Sequence, residues 1–357
     1  MQNNENKPLV TISIPNYNYG HYLSYCLDSV LAQTYPNIEV HLSDNASTDN
    51  SFDIAYEYRK KFRERGICFR LTENKHNVGS YRNSQISSSG ASGKYIYTLA
   101  SDDAIYPEFI ERCVEVFEHY PNVGTVIVNR DEINERGEIK KLPPFYNRSC
   151  IIDGEAQASV YMLAGIAIPA QRMTSNAALR KAAPYMRTWN VAGDWYDNFL
   201  FACAGDVAYI KDSLICYRVH TGNETNESER KLLGILEHFQ LINAFVDIAN
   251  NFGMEKPQAR YGEAVKHLGE MCPRYALRMM RDRQPEAARK YLQLALVFNE
   301  EMEENKDYRE LREILKFRDE EKILEAAEAF RARRNLNRTR SYDPPEGSVP
   351  LIPMALS

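Results

Sequence analysis

Two adjacent carboxylates at the end of an apolar run are the strongest chemical signal in the chain. Residues 95–100 have the composition of a buried strand, and Ser101, Asp102 and Asp103 follow directly. In open α/β folds, ligands bind beyond the carboxyl ends of the strands, which is where this pair is expected. Adjacent acids repel each other unless a cation lies between them, so the pair predicts a divalent metal that holds a diphosphate. The alternative is a solvated turn or a helix cap, which Pro107 at a helix start would suit.

Alternating strand and helix patterns must position these acids. Strand patterns cover residues 9–14, 38–43, 67–71, 95–102 and 123–129, and helical patterns cover 22–33, 50–65, 80–89 and 107–119. Repeated β-α units imply an α/β fold with a largely parallel sheet covered by helices. The pattern loosens over residues 134–171, resumes with a helix at 194–204 and an extended segment at 207–219, and becomes almost wholly helical beyond residue 227.

Composition narrows the classes of partner. The 357 residues exceed one typical domain, and 44% hydrophobic with 26% charged residues can fill a globular core. A net charge of -5 offers no basic excess for a nucleic-acid partner. The seven scattered cysteines are typical of reduced thiols in a cytoplasmic protein, and the best uncharged stretch, residues 159–170, is too short to span a bilayer.

Three further segments are expected at the same sheet edge as the carboxylate pair. Residues 14–18 end the first strand, 43–49 end the second, and 74–83 follow the third. In combination these segments and the acidic pair resemble the inverting glycosyltransferases of family 2 with the GT-A fold. The resemblance covers residues 9–222 and implies a Rossmann-like sheet and transfer of a sugar from a nucleotide diphosphate sugar.

The resemblance implies that the first two segments hold the nucleoside. Pro15 and Tyr17 would contact it, with Tyr17 stacking on the base; the alternative for Tyr17 is a packing aromatic. Asp44 is expected at the base or ribose, with an Asx-turn residue as the alternative. Asn45 departs from the pattern, because many relatives with uridine donors carry a second aspartate here, although an amide can still pair with uracil or thymine.

The third segment and the acidic pair would hold the diphosphate. Asn77, Gly79 and Arg82 resemble the family's third donor element: Gly79 permits close backbone approach, and Arg82 can bond a phosphate in fork geometry. A surface role for Arg82 is the alternative. Ala100 stands where relatives often have the first aspartate of the metal motif. Ser101 and Asp102 are expected at the donor, and Asp102 with Asp103 at Mn2+ or Mg2+, which commonly takes only one or two protein carboxylates.

Two later segments complete the expected site. Asp194 is the predicted catalytic base, with Asp197 as a competitor and a helix-capping role as the alternative, and Trp195 is predicted to stack on an acceptor sugar. Arg218 and His220 resemble the loop that closes over the donor. Arg218 would offset phosphate charge, and His220 would ligate the metal or bond the diphosphate, unless it is a structural histidine.

These expectations predict a metal-dependent enzyme that moves a sugar to a hydroxyl of a saccharide or lipid-linked acceptor, in bacterial surface glycan synthesis. A catalytically silent relative that binds nucleotide sugar or scaffolds an assembly is the alternative that Ala100 favours. A sugar nucleotidyltransferase is the third option, but its glycine-rich basic loop after the first strand is missing. No signal indicates the sugar, the acceptor, the linkage or the oligomeric state.

The domain organisation follows from these assignments. We expect a GT-A domain over residues 8–227, with a donor half at 8–130 and an acceptor half at 131–227. A helical extension at 228–340 and a flexible tail at 341–357 would follow. A basic cluster near the end of the extension predicts peripheral contact with the inner face of an anionic membrane, against the alternative of a solvated helical hairpin. The cluster comprises Arg331, Arg333, Arg334, Arg338 and Arg340.

Overall fold

The sheet is the frame on which the site is built. A computed structural model describes residues 7–189, 192–220, 232–334 and 340–352. The strands in the described part are β1 Val10–Asn16, β2 Ile38–Asp44, β3 Cys68–Glu73, β4 Tyr95–Thr98, β5 Ala104–Ile105, β6 Val123–Asn134, β7 Ile139–Lys140, β8 Cys150–Ile152, β9 Arg172–Ser175, β10 Asp206–Val219 and β11 Val349–Pro350.

Helices cover the sheet and continue into a C-terminal extension. They are α1 Gly20–Leu31, α2 Ser51–Glu64, α3 Ser80–Ser88, α4 Phe109–His119, α5 Gly154–Tyr161, α6 Asn176–Ala182, α7 Gly193–Ala204, α8 Leu233–Phe252, α9 Lys256–Ala259, α10 Tyr261–Arg281, α11 Pro285–Phe298, α12 Lys306–Ile314 and α13 Glu320–Arg334. Apolar spacing explains their burial: in α4, Phe109, Cys113 and Val116 share a face and are buried against the sheet. Pro273 lies inside α10, although a proline in a helix interior removes a backbone hydrogen bond.

Strand order brings the predicted site segments together. The order is β11-β8-β10-β6-β9-β4-β1-β2-β3, and β4, β1, β2 and β3 run parallel. Asn16 at the end of β1 lies opposite Asp44 of β2, which lies opposite Glu73 of β3. The expected α/β architecture is confirmed, and the sheet is mixed because β9 runs antiparallel between β4 and β6.

The carboxylate pair lies on a tight turn rather than on a strand. β4 ends at Thr98, and the chain stays beside β1 for one more residue, where Leu99 N donates to Ser13 O at 2.9 Å. Asp103 N then donates to Ala100 O at 3.1 Å and closes the turn that leads into β5. The predicted strand therefore ends about four residues too late, because the apolar run continues into a buried turn.

Two large hydrophobic clusters form most of the core of the described residues, and a small third one comprises Ala104, Ile133 and Cys216. One of the large clusters fills the donor half beneath β1 to β4, and the other large cluster runs from the acceptor half into the helical extension without interruption. At the junction the rings of Phe199 in α7 and Phe245 in α8 stack with centroids 3.9 Å apart. The extension therefore packs against α7 as part of the same core. The predicted boundary at residues 227 and 228 lies outside the described residues.

The predicted flexible tail is corrected for residues 341–352. β11 pairs with β8, and Tyr342 N donates to Phe145 O at 2.7 Å. The segment covers the free edge of β8, whose unpaired backbone groups would otherwise face water. Residues 353–357 of the predicted tail lie outside the described part. Within the described ranges, no helix combines the length and the apolarity that a bilayer span needs.

Candidate functional site

The ends of β1 and β2 form one wall of the site. Asn16 Nδ2 donates to Asp44 Oδ1 at 2.7 Å, and Ser47 N donates to Asp44 Oδ2 at 2.9 Å. Asp44 is buried and builds the turn after β2, as its Asx-turn interpretation predicted. Pro15 is half-buried, whereas Tyr17 leaves 41% of its surface exposed at the end of β1. That exposure leaves a ring face open to a planar ligand.

Asn45 is occupied by the protein itself. Its Nδ2 donates to Asn77 Oδ1 at 2.9 Å and lies 3.5 Å from Gly79 O. Its Oδ1 accepts hydrogen bonds from Val78 N at 2.9 Å and Asn74 Nδ2 at 3.0 Å. An amide has two donor hydrogens and two acceptor lone pairs, so nothing remains for a base. The predicted base contact of Asn45 is therefore corrected: this side chain holds the 74–79 loop against β2.

Asn83 joins several elements of the donor side through its side chain, a role that the sequence did not predict. The buried side chain accepts from Ser43 Oγ at 2.8 Å and from Asn74 Nδ2 at 2.9 Å. Its Nδ2 donates to the carbonyls of Asn16 at 3.2 Å and Ser43 at 3.1 Å. Asn83 therefore ties the first turn of α3 to β1 and β2. The position of Asn83 next to Arg82 in the third motif was the sequence signal that could have indicated this role.

The start of α3 is open to a ligand. Gly79 precedes the helix with φ +85°, a conformation that side chains disfavour, and the space beside its Cα is empty. No side chain caps α3 through a hydrogen bond. Arg82 is exposed, and its Nη1 donates to Gln85 Oε1 at 3.1 Å within the same helix. The phosphate-binding role of Asn77, Gly79 and Arg82 remains a prediction that this geometry accommodates.

Asp103 and Arg218 hold the turn after β4 through hydrogen bonds. Asp103 is 2% exposed, and its Oδ1 accepts a hydrogen bond from Arg218 N at 2.8 Å. Burial, followed by the nearby charge of Asp102, raises the pKa of Asp103 well above its usual range. The Arg218 guanidinium donates through Nε to Asp102 O at 2.8 Å and through Nη1 to Asn134 O at 3.0 Å. The guanidinium carbon of Arg218, Cζ, lies 4.2 Å from the centroid of the Tyr22 ring.

This arrangement corrects the predicted role of Arg218. The buried guanidinium is bound to two backbone carbonyls and an aromatic ring, so it holds the turn rather than a phosphate. Ser101 is also buried in this turn, and its Oγ has no hydrogen-bond partner among the described residues. A buried hydroxyl without a partner suits a ligand contact, so the predicted donor role of Ser101 stays open.

Asp102 and His220 form the pair that fits a divalent cation. His220 Nε2 lies 3.2 Å from Asp102 Oδ2. Adjacent ligands in an octahedral Mg2+ shell lie about 3 Å apart, so the two atoms can share one ion while phosphate oxygens and water complete the shell. Asp103 fits this role less well, because its carboxylate is buried against Arg218. No cluster of three or more His, Cys, Asp or Glu side chains suited to a metal occurs within the described ranges.

Asp194 and Asp197 lie in the first turns of α7 in different surroundings. Asp194 is exposed and makes no hydrogen bond or ion pair with any described residue, whereas Asp197 Oδ2 lies 3.5 Å from Arg172 Nη2. Desolvation by the surrounding protein raises the pKa of Asp194, although the charge of Arg172 opposes the shift. Desolvation also raises the pKa of Asp197, to about 6. Asp194 is therefore the carboxylate free to accept a proton.

Tyr217 is influenced by the charges of both the turn after β4 and the predicted base. Burial raises the pKa of its hydroxyl, and the charges of Asp103, Asp102 and Asp194 raise it further, against the opposing charge of Arg130. A chain of contacts links the same elements. The Arg130 guanidinium lies 5.0 Å from the centroid of the Tyr217 ring and donates to Gln171 Oε1 at 3.1 Å, and the next residue, Arg172, lies 3.5 Å from Asp197 of α7. The structure brings the strand-end site and the start of α7 to the same place, although about 90 residues separate them in sequence.

Trp195 does not lie at an acceptor surface. It is 8% exposed, its Nε1 donates to Tyr161 O at 2.5 Å, and its ring packs 5.1 Å from His238. The predicted stacking on a sugar is therefore corrected: Trp195 belongs to the core between α7 and α8. Trp189 is the aromatic residue that sequence reasoning missed. It is partly exposed before α7, lies 5.2 Å from the Tyr196 ring, and its Nε1 has no partner among the described residues.

The mixed sheet flanked by helices is the fold of the GT-A class. Residues 11–182 match the family model described as Glycosyl transferase family 2. This match bears out the resemblance that the strand-end motifs predicted for the donor half and the start of the acceptor half. Asp194 and the helical extension lie beyond the matched residues.

Sequence relatives are glycosyltransferases that match mainly the donor half. The chain is 36% identical over 127 residues to an uncharacterized glycosyltransferase of Rickettsia prowazekii, covering 36% of this chain and 37% of that protein. It is 29% identical over 253 residues to one of Nostoc sp., covering 66% and 75%. Identity to chondroitin synthase of Pasteurella multocida is 33% over 133 residues, covering 37% and 13%. The match spans little more than a third of the Rickettsia protein.

Solved structures extend the comparison to the helical extension. Residues 1–349 of S. aureus TarS in complex with UDP align with a TM-score of 0.58 and 15% identity, covering 95% of both chains. The same protein in complex with UDP-GlcNAc aligns with a TM-score of 0.54 and 16% identity, covering 83% of this chain and 92% of the other. At this level of identity the comparison establishes the fold.

Proposed function

We propose that this protein is an inverting glycosyltransferase that moves a sugar from a nucleotide diphosphate sugar to a hydroxyl of a saccharide or lipid-linked acceptor. The observation that carries the proposal is the common position of two groups. His220 Nε2 lies 3.2 Å from Asp102 Oδ2, Arg218 beside Tyr217 donates to the carbonyl of Asp102, and the charges of Asp102 and Asp194 both act on the Tyr217 hydroxyl. A transferase needs these two functions around one anomeric carbon: a site for the leaving diphosphate and a base for the acceptor.

The donor binds along the ends of β1 to β4. Tyr17 covers the base, and the 74–79 loop with Arg82 receives the diphosphate at the start of α3. A uridine nucleotide is the favoured donor, since the structurally similar TarS was solved with UDP and with UDP-GlcNAc. Because the amide of Asn45 is occupied, recognition of the base falls to Asp44 and to backbone groups of the same wall. Asp44 Oδ1 accepts two hydrogen bonds, whereas among the described residues Oδ2 accepts only that from Ser47 N and retains a lone pair.

The chain's own groups account for the displacement. Asp194 accepts the proton of the acceptor hydroxyl as its oxygen attacks the anomeric carbon. The bond to the diphosphate oxygen breaks on the opposite face, so the configuration inverts. Positioned general bases contribute about 10²–10⁴-fold in rate. Asp102 and His220 would hold Mn2+ or Mg2+, which supplies Lewis-acid stabilisation of the departing diphosphate. Trp189 is the aromatic candidate for stacking on the acceptor sugar.

Bacterial surface glycan synthesis at the cytoplasmic side of a membrane is the proposed setting. The structure weakens the case for membrane contact through the arginine cluster, because Arg333 is paired with Glu310 and Arg334 with Asp307. Arg338 lies outside the described residues. A lipid-linked acceptor would therefore have to be held mainly by the site rather than by surface charge.

The test combines donor binding with transfer. UDP, GDP and dTDP sugars are screened by thermal shift with Mn2+ and with EDTA, and the best donor is then assayed for transfer to a saccharide panel. We expect stabilisation by a UDP-sugar that EDTA removes, together with metal-dependent transfer whose product has the inverted configuration. Donor binding without transfer or donor hydrolysis would instead identify a silent nucleotide-sugar binder. A retained configuration would refute single displacement.

A matched pair of variants locates the metal. Asp102→Asn should abolish the metal-dependent part of the donor shift, because it removes the carboxylate that faces His220. Asp103→Asn should retain that part, because its amide oxygen can still accept from Arg218 N. If both variants lost the metal-dependent part of the donor shift equally, Asp103 would also be a metal ligand.

A further inference from the structure

The helix that carries the predicted base begins without a cap of its own. Ala192 occupies the N-cap position of α7 and makes no side-chain cap hydrogen bond. Alanine is among the poorest N-cap residues, because it offers no acceptor to the free N–H groups of the first turn. α7 must therefore be held at its start by groups from elsewhere in the fold.

Glu237 in the helical extension supplies an acceptor at this point. Its Oε2 accepts a hydrogen bond from Ala192 N at 3.0 Å, across 45 residues of sequence. The side chain is buried, so the contact is shielded from water and salt. A carboxylate at a helix N-terminus also interacts favourably with the helix dipole. The contact lies two residues before Asp194.

Apolar packing holds the same face of α7 against α8. Trp195 lies 5.1 Å from the ring of His238, and Phe199 stacks on Phe245 at 3.9 Å. Trp195 cannot rotate freely because its Nε1 is bonded to Tyr161 O. Asp194 is exposed, although Trp195 beside it is buried in this interface. The extension therefore restrains the backbone next to Asp194 without covering its carboxylate.

We propose that Glu237 is a positioning residue for Asp194, which makes the first helix of the extension part of the catalytic unit. The inference rests on the proposed function, in which Asp194 is the base. Glu237 holds the backbone that presents Asp194 to the acceptor hydroxyl, because its contact with Ala192 N lies at the start of α7 rather than at the strand ends that receive the donor. Its loss therefore lowers the rate of transfer and leaves donor binding intact.

The kinetic test compares three variants of the full chain. Glu237→Ala should lower kcat about 10–100-fold, since a displacement of about 1 Å at a catalytic group can cost that much. The KM for the donor should stay within about twofold of the wild-type value. Glu237→Gln keeps an oxygen that can accept from Ala192 N and should recover most of the rate. Asp247→Asn, an exposed carboxylate on the same helix, is the control and should behave as wild type.

Amide hydrogen exchange tests the contact independently of activity. Glu237→Ala should speed exchange in residues 192–197 and leave α11 and the β1 to β3 strands unchanged, with melting still cooperative. Unchanged exchange and unchanged kcat would overturn the proposal, as would a parallel rise in donor KM. If the wild-type chain transfers no sugar, the proposed function fails, whereas faster exchange confined to α7 would still establish the restraint by Glu237.

Discussion

The two sides of the site are held by different forces. On the donor side, the strand ends and the 74–79 loop are joined by side-chain amides and one carboxylate, and the amides of Asn45 and Asn83 are fully used. On the acceptor side, α7 is held largely by buried rings, such as Phe199 on Phe245. Hydrogen bonds from Trp195 and Asn198 to backbone carbonyls and the carboxylate of Glu237 from a distant helix add to this packing.

We expect this difference between the two sides to separate donor binding from catalysis. Hydrogen bonds are directional, so the network on the donor side sets loop geometry and should govern how well the donor binds. Apolar packing has little direction but resists displacement, so it can hold a backbone rigidly and leave one carboxylate exposed. Damage to the first side should raise donor KM, and damage to the second should lower kcat or stability.

The largest expected effect comes from the exposed carboxylate of α7. Asp194→Asn should reduce kcat by about 10²–10⁴-fold, because an amide cannot accept the acceptor's proton. The thermal shift produced by the donor should persist. Asp197→Asn is the control and should retain most of the rate, because Asp197 is engaged by Arg172. Normal turnover by Asp194→Asn would show that the base lies elsewhere.

The next effect concerns the packing beneath that carboxylate. Trp195→Ala should lower the free energy of unfolding by about 3–5 kcal/mol, because it opens a cavity between α7 and α8. Denaturant unfolding measures the loss. Val297→Ala is the control, since 75% of Val297 is exposed and little should change. A stable Trp195→Ala protein with a raised acceptor KM would instead support the stacking role that sequence suggested.

A smaller effect is expected on the donor side. Asn45→Ala removes the acceptor of Val78 N and the partner of Asn77, so the 74–79 loop loses its fixed geometry. Donor KM should rise about tenfold, which corresponds to about 1.4 kcal/mol, with kcat largely retained. Asn251→Ala in α8 serves as a surface control. A fall in kcat at unchanged KM would contradict the assignment of this network to donor binding.

The smallest effect is a shift in pH dependence. The protein raises the pKa of Asp194 from its ordinary value, and the base acts only when ionised. Transfer should therefore fall as pH drops through that raised pKa, so the acid limb of kcat/KM should lie above the range in which an ordinary aspartate titrates. The pKa of Asp197 is raised to about 6, so the profile must also be measured in Asp197→Asn. Loss of the limb in that variant would assign it to Asp197.

Much of the donor half could be read from sequence because its signals are local. The helix expected at residues 50–65 is α2 Ser51–Glu64, and the strand expected at 38–43 is β2 Ile38–Asp44. Alternating or helical spacing and the turn residues after Asp44 act over a few positions, so they are visible in one sequence. The segment at residues 341–352 was misread because composition does not reveal that β8 has a free edge for β11.

Sequence by itself determined which segments reach the site: the strand-end motifs, the Asp102–Asp103 pair and Asp194. Tertiary structure alone decided which side chains face a ligand. Arg218 and Asp103 meet across 115 residues, and Glu237 reaches Ala192 across 45, so no local pattern could assign them. The physical reason is that each polar group must find a partner once buried, and that partner is chosen by packing of distant elements. Asn45, Arg218 and Trp195 form hydrogen bonds within the protein, whereas Tyr17 and Asp194 are exposed and the Asp102–His220 pair is the proposed cation site.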